Sequence, residues 1–96
     1  MLAESDEDRW IESKLEIIRT YLTNRFPGYT VTERVCPNLY YLFTVTNSEL
    51  QRTYGLKVEW SRLTDPSNTP TRIWTLLTSG FVSSAMIRAG DTFYSW

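Results

Sequence analysis

The stretch that decides the fold is residues 29–60, YTVTERVCPNLYYLFTVTNSELQRTYGLKVEW. Apolar and polar residues alternate from Tyr29 to Val35, which is the period of a half-buried strand. Residues 39–46 are rich in aromatic and β-branched side chains on both faces, as expected of a central strand. Alternation returns over residues 54–61. The links between these runs are short and predict an antiparallel meander, since a parallel pairing needs a crossover of about a dozen residues.

A helix is predicted before the first strand, from about Ser5 to Asn24. Ser5 is a suitable N-cap, and Asp8 holds the reciprocal position of a capping box. Phe26-Pro27-Gly28 ends the helix, because the residue before a proline is pushed out of the helical region. The predicted buried stripe recurs at helical spacing through Ile11, Leu15, Ile18 and Leu22.

The C-terminal third predicts a second helix that starts at Thr69-Pro70, an N-cap followed by proline at the first helical position. An apolar stripe continues to Met86, so one helix to about Ala89 is the first expectation. A break at Gly80 followed by a short strand is the alternative, since glycine often ends a helix. Residues 92–96, TFYSW, are expected to form a terminal strand or a docked tail.

These elements predict one α+β domain over residues 1–96 with the order α-β-β-β-α. We expect a two-layer sandwich in which a three-stranded antiparallel meander carries its helices on one face, with a possible extra C-terminal strand. The opposite sheet face is then open. Both faces of strand two are apolar, so either Tyr40 and Leu42 or Tyr41 and Phe43 point outward.

Composition favours a soluble, cytoplasmic protein without a membrane segment. The 96 residues include a single cysteine, Cys36, so no internal disulfide can form. The first residues are acidic, where a signal peptide would be basic and then apolar. No apolar run approaches the roughly 20 residues that cross a bilayer.

The sequence predicts no enzyme, no cofactor and no metal site. It contains no histidine, which removes the commonest general base and metal ligand. Its four glycines stand singly, so a phosphate-binding loop is excluded. Cys36 lies in an apparent turn with only Arg34 as a nearby charge, and a structural role is expected. Glu33 and Glu59 could share a face, but cross-strand pairing with basic residues is the expected role of such glutamates.

The predicted function is a small non-catalytic protein-interaction module, adaptor-like, chaperone-like or regulatory, that self-associates through its open sheet face or a sheet edge. Tyrosine and tryptophan are enriched at binding hot spots, and edge strands invite pairing. The expected partner is another protein or a second copy of the chain. The candidate contact residues are Tyr40, Leu42, Phe93, Tyr94 and Trp96.

Nucleic-acid binding and small-ligand binding are the alternatives. The element order resembles that of double-stranded-RNA-binding domains, and it also resembles that of acidic dimeric secretion chaperones. The resemblance covers element order alone, and Thr69-Pro70-Thr71-Arg72 stands where the RNA-binding family has a lysine-rich cluster. A sequence pI near 5.3 disfavours nucleic acid, although ten basic and seven acidic residues follow the acidic start. The basic candidates are Arg34, Arg52, Lys57 and Arg72.

Overall fold

The structure is a computed structural model that describes residues 6–37 and 39–96, with side chains from residue 9 onward. The predicted capping pair Ser5 and Asp8 therefore falls outside the described side chains. A short 3₁₀ turn, Gly90–Thr92, precedes the last strand. The remaining elements, in chain order, are α1 (Asp6–Arg25), β1 (Thr30–Cys36), β2 (Tyr40–Asn47), β3 (Arg52–Glu59), α2 (Trp60–Thr64), α3 (Pro70–Ser79), α4 (Val82–Ala89) and β4 (Tyr94–Ser95).

The sheet confirms the predicted meander and the extra C-terminal strand. Its order is β1-β2-β3-β4, with the first three strands antiparallel and β4 parallel to β3. The first hairpin closes where Cys36 pairs with Tyr40, and the second where Asn47 pairs with Arg52. In the second turn the Asn47 side chain accepts the backbone N–H of Leu50 at 3.0 Å. The fold is thus the α+β arrangement that the alternation predicted.

One hydrophobic core lies between the helices and one face of the sheet. Fully buried side chains come from every layer, and each contributes roughly 1.5–3 kcal/mol by leaving water. The helices pack on this face alone, as the sequence predicted. The fully buried core residues include Ile18, Leu22, Phe43, Val45, Leu56, Val58, Leu63, Ile73, Leu77 and Met86.

The second predicted helix is two helices, which corrects the expectation of one helix to Ala89. The break at Gly80 is present, but a helix follows it instead of a strand. Phe81 adopts a left-handed conformation with φ 50°, which turns the chain before α4. The backbone N–H of Ser83 then donates to the Tyr21 hydroxyl at 3.0 Å, so a side chain of α1 satisfies a free donor in the first turn of α4.

The short helix α2 was not predicted, and it is fastened to α1 by a buried lysine. The Lys14 side chain is completely buried. Its Nζ donates to the carbonyl oxygens of Leu63 at 2.6 Å and Asp65 at 3.0 Å. The ammonium also lies 4.9 Å from the centre of the Trp10 ring. Burial lowers the pKa of Lys14, while the Asp65 charge acts in the opposite direction.

Candidate interaction surface

The sheet face turned away from the helices, here called the open face, carries Tyr40 and Leu42 near one end. Phe43 and Val45 of β2 are fully buried. Since side chains alternate along a strand, Tyr40, Leu42, Thr44 and Thr46 point to the other side. This decides between the two orientations that the sequence left open. The remaining open-face residues of β1 to β3 are Thr30, Thr32, Arg34, Cys36, Thr53, Gly55, Lys57 and Glu59.

Charged side chains flank Tyr40 and Leu42 in two neighbouring cross-strand rows. Leu42 stands between Arg34 on β1 and Lys57 on β3. In the next row Tyr40 pairs with Glu59 on β3. The Lys57 ammonium lies 5.6 Å from the centre of the Tyr40 ring, a cation–π distance. The end of the face therefore has two large apolar side chains beside adjacent charges of opposite sign.

Phe93 also lies on the open face, above Gly55 of β3. A Cβ atom added at Gly55 would stand 2.4 Å from two carbons of the Phe93 ring, so only glycine leaves room for it. Phe93 has φ 59°, a backbone conformation that is energetically unfavourable for a residue with a bulky side chain. Gly55 is buried under the ring. Phe93 thus extends the aromatic surface toward the β4 side of the face.

Tyr94 and Trp96 belong to the opposite side, where they pack against the core. The backbone N–H of Trp96 donates to the carbonyl oxygen of Lys57 at 2.7 Å, and the carbonyl oxygen of Trp96 accepts from the backbone N–H of Glu59 at 3.2 Å. The Arg62 Nε donates to the same Trp96 carbonyl at 3.0 Å, and its guanidinium lies 4.1 Å from the ring centre. The predicted terminal strand or docked tail is therefore confirmed. Its residues lie on opposite sides of the sheet, with Phe93 on the open face and Tyr94 and Trp96 against the core.

The edge strand β1 borders an ion-pair network at α1. Arg19 binds Glu33 through two guanidinium nitrogens, and the second hydrogen bond is 2.7 Å long. Glu33 also accepts the Tyr41 hydroxyl at 2.8 Å. These hydrogen bonds, led by that of Arg19, lower the pKa of Glu33. Burial and the bond to Glu33 raise the pKa of Tyr41 to about 12.

Two further carboxylates surround that network. Glu12 and Glu16 lie 3.5 and 3.6 Å from the Arg19 guanidinium. We call the carboxylates of Glu12, Glu16 and Glu33, which surround the single guanidinium of Arg19, the acidic rim. Glu33 faces the helix side while Glu59 lies on the open face, so the candidate acid–base pair of these two glutamates is not assembled.

A cleft of about 510 Å³ opens beside the end of β1, lined by Val35, Pro37, Trp60 and Thr64. The Trp60 indole N–H donates to the Cys36 carbonyl at 3.4 Å, and the ring meets Tyr41 edge-on at 6.3 Å. Val35 is 49% exposed. We call this the edge cleft. Sequence reasoning did not identify it, because its lining comes from two segments that only the folded chain brings together.

The four basic candidates for nucleic-acid binding are not gathered into one patch. Arg34 and Lys57 lie in the same row, on either side of Leu42, at about 10 Å between strands. Arg52 stands at the far end of β3, paired with Asn47. Arg72 lies in the first turn of α3, whose buried residues pack on the helix side. Phosphate binding draws on several cations along one surface, which this arrangement does not provide.

Within the described ranges, no group of three or more cysteine and carboxylate side chains is placed to hold a metal ion. No described helix has the length and apolar character needed to cross a bilayer. No protein-family model matches the sequence, and neither a curated protein nor a solved structure matches it.

Proposed function

We propose that the protein is a non-catalytic interaction module that forms a homodimer through the open face of its sheet. The observation that carries this proposal is the arrangement of Lys57 and Glu59, which stand in adjacent rows beside Leu42 and Tyr40. Such an arrangement is complementary to itself after a two-fold rotation. Self-complementarity is the requirement of a symmetric dimer interface.

The rotation can be specified from the register. In this dimer a second copy lies face to face on the first. A two-fold axis runs perpendicular to the strands, in the plane between the two sheets and midway between the Leu42 row and the Tyr40 row. It places the Leu42 row of each copy over the Tyr40 row of the other. Lys57 then lies over the partner's Glu59, and Leu42 lies over the partner's Tyr40. Symmetry forms each contact twice. Sheets that pack in this way stand about 10 Å apart, a distance that leucine and tyrosine side chains span.

The surrounding residues fit such an interface. Beyond Leu42 the open face carries threonines of the three strands and the Phe93 ring above Gly55, so this side of the interface is uncharged. An apolar centre within a polar rim is the usual anatomy of a protein interface. A domain of 96 residues buries a smaller fraction of its surface than a larger one, and dimerisation adds burial.

The test is a charge exchange between Lys57 and Glu59, read by sedimentation equilibrium. Lys57→Glu and Glu59→Lys each place like charges across the axis, and we expect each to weaken the dimer about tenfold or more. The double variant restores opposite charges and should return the dissociation constant to within about threefold of the original. Leu42→Asp should abolish the dimer, because it replaces the apolar contact with the partner's Tyr40 by a carboxylate that loses its water on association.

Arg72→Glu is the matched control, since it makes the same change of charge on an exposed residue of α3, away from the open face. It should leave the dissociation constant unchanged. A protein that stays monomeric at all concentrations would refute the proposal. A dimer that tolerates both single variants would also refute it, because its interface would lie elsewhere.

A further inference from the structure

The outer edge of β1 presents backbone hydrogen-bonding groups without a neighbouring strand in the described residues. β1 is the first strand of the sheet order, and seven residues, Thr30–Cys36, form it. The opposite margin differs, because β4 and the Trp96 backbone already pair with β3. An unpaired edge is completed by another extended chain, which adds its own backbone groups to the ladder.

The edge cleft offers a place for a side chain of such an added strand. On the helix side of β1, Val31, Glu33 and Val35 recur at every second residue. A residue opposite Val35 would direct its side chain to the same side of the sheet, toward the cleft. The cleft is lined mainly by apolar groups of Val35, Pro37 and Trp60, and its volume of about 510 Å³ accommodates a leucine or larger side chain.

The acidic rim determines the charge of the neighbouring position. A residue opposite Glu33 lies two positions from the residue opposite Val35 and on the same side of the sheet. There it approaches three carboxylates and one guanidinium, a net of two negative charges. Glu12 and Glu16 keep 61% and 71% of their side-chain surface exposed, so both remain accessible to a cation.

We infer that β1 and the edge cleft bind an extended segment of a partner protein, in which a bulky apolar side chain stands two residues from a lysine or arginine. The backbone of the segment pairs with β1, the apolar side chain enters the edge cleft, and the cation meets the acidic rim. This surface is separate from the open face. It therefore adds a second type of contact to the homodimer proposed above.

A second copy of β1 does not meet these requirements. A two-fold axis perpendicular to the sheet would pair β1 with β1 of a second copy in antiparallel orientation. Residues directly opposite one another must then lie on the same face of the joined sheet, so one residue always stands opposite its own copy. Centring on Glu33 opposes two glutamates, and centring on Arg34 opposes two arginines. In these two registers like charges stand directly opposite one another, which is destabilising, whereas centring on Thr32 places Val31 opposite Glu33 and opposes no like charges. Any register of β1 against itself also lacks a cation for the acidic rim, because its helix side offers Val31, Glu33 and Val35.

The inference is tested with a synthetic peptide of about eight residues, roughly the length of β1, in which lysine and leucine stand two positions apart among threonines and serines. Its binding is followed by amide chemical shifts of the isotope-labelled protein. We expect saturable binding at or below about 1 mM, with shifts concentrated in Thr30–Cys36 and at the Trp60 indole. A peptide with glutamate in place of lysine should bind about tenfold more weakly.

Protein variants assign each part of the contact. Val35→Ser should weaken binding about tenfold by reducing the apolar lining. Glu12→Gln combined with Glu16→Gln should weaken the lysine peptide severalfold and leave the glutamate peptide no weaker. Lys57→Glu is the control for the open face, and it should leave peptide binding unchanged even where it dissociates the homodimer.

Four results would overturn the inference. The first is an absence of saturable binding, and the second is equal binding of the lysine and glutamate peptides. The third is loss of peptide binding in Lys57→Glu, because the peptide would then occupy the open face. If Val35→Ser instead changes the dimer constant, β1 is the homodimer edge, and the inference of a separate partner is wrong.

Discussion

Lys14 shows how one residue can combine a buried charge with a structural role. It lies on the buried stripe of α1, three residues after Ile11, where an apolar side chain would be expected. Burying an ammonium is costly, but its contacts with two carbonyl oxygens and the Trp10 ring offset part of that cost. The two carbonyls belong to Leu63 and to Asp65, so the lysine ties α1 to the end of α2. The sequence could not indicate this, because the acceptors are backbone atoms about fifty residues away.

Glu33 leads to a prediction about pH. Its pKa in the folded protein is lowered, mainly by the Arg19 hydrogen bonds, from the ordinary value of 4.5. A carboxyl with a lowered folded pKa stabilises the protein above its unfolded pKa, and this stabilisation is lost as the pH falls through the folded pKa. Glu33→Gln should therefore cost about 1 kcal/mol at neutral pH. The difference between the two proteins should shrink below about pH 4.5.

The measurement is denaturant unfolding of both proteins across a pH series that reaches about pH 3. Glu49→Gln, a change at an exposed position in the turn after β2, is the control, and it should alter stability by less than about 0.5 kcal/mol. If the loss in Glu33→Gln is independent of pH, the ion pair with Arg19 does not contribute in the way described.

At the scale of the elements, the turn between α3 and α4 contains a residue with a strained backbone conformation. Phe81 is 69% exposed and left-handed at φ 50°, a conformation that L side chains disfavour by roughly 1–2 kcal/mol. Phe81→Gly and Phe81→Ala both remove the ring, but only glycine adopts this conformation without a steric penalty. Phe81→Gly should therefore be more stable than Phe81→Ala by about 1 kcal/mol in denaturant unfolding. Equal stability of the two variants would show that Phe81 is not strained.

The elements predicted from the sequence are those with a local period. The strands match within about two residues because alternation is visible in each run separately. The stripe from Ile73 to Met86 continued past Gly80, so it did not reveal that two helices share it. α2 has five residues, too few for a helical period, and only Leu63 of α2 is buried. The orientation of Tyr40 depended on pairing across the sheet, which neither apolar face of β2 could indicate alone.

For the whole molecule, the position of the helices determines which surfaces are available. The helices cover one sheet face, and the tail from Phe93 to Trp96 occupies the margin beside β3. The open face and the β1 edge remain in the described part of the chain. A copy laid on the open face approaches perpendicular to the sheet, whereas a strand added at β1 approaches in its plane. The two proposed contacts can therefore form together.

Homodimerisation should also be visible in thermal stability. A partner that binds only the folded state stabilises it by mass action, so the midpoint of unfolding depends on protein concentration. Above the dissociation constant, each tenfold increase in concentration adds about 0.7 kcal/mol per protomer, or roughly 3–5 °C for a domain of this size. Lys57→Glu should shift the onset of this dependence to a concentration about tenfold higher or more, and Lys57→Glu with Glu59→Lys should return it to the original range. Calorimetry at several concentrations measures the effect. A midpoint that stays constant in the original protein would contradict a dimer in which folding and association are linked.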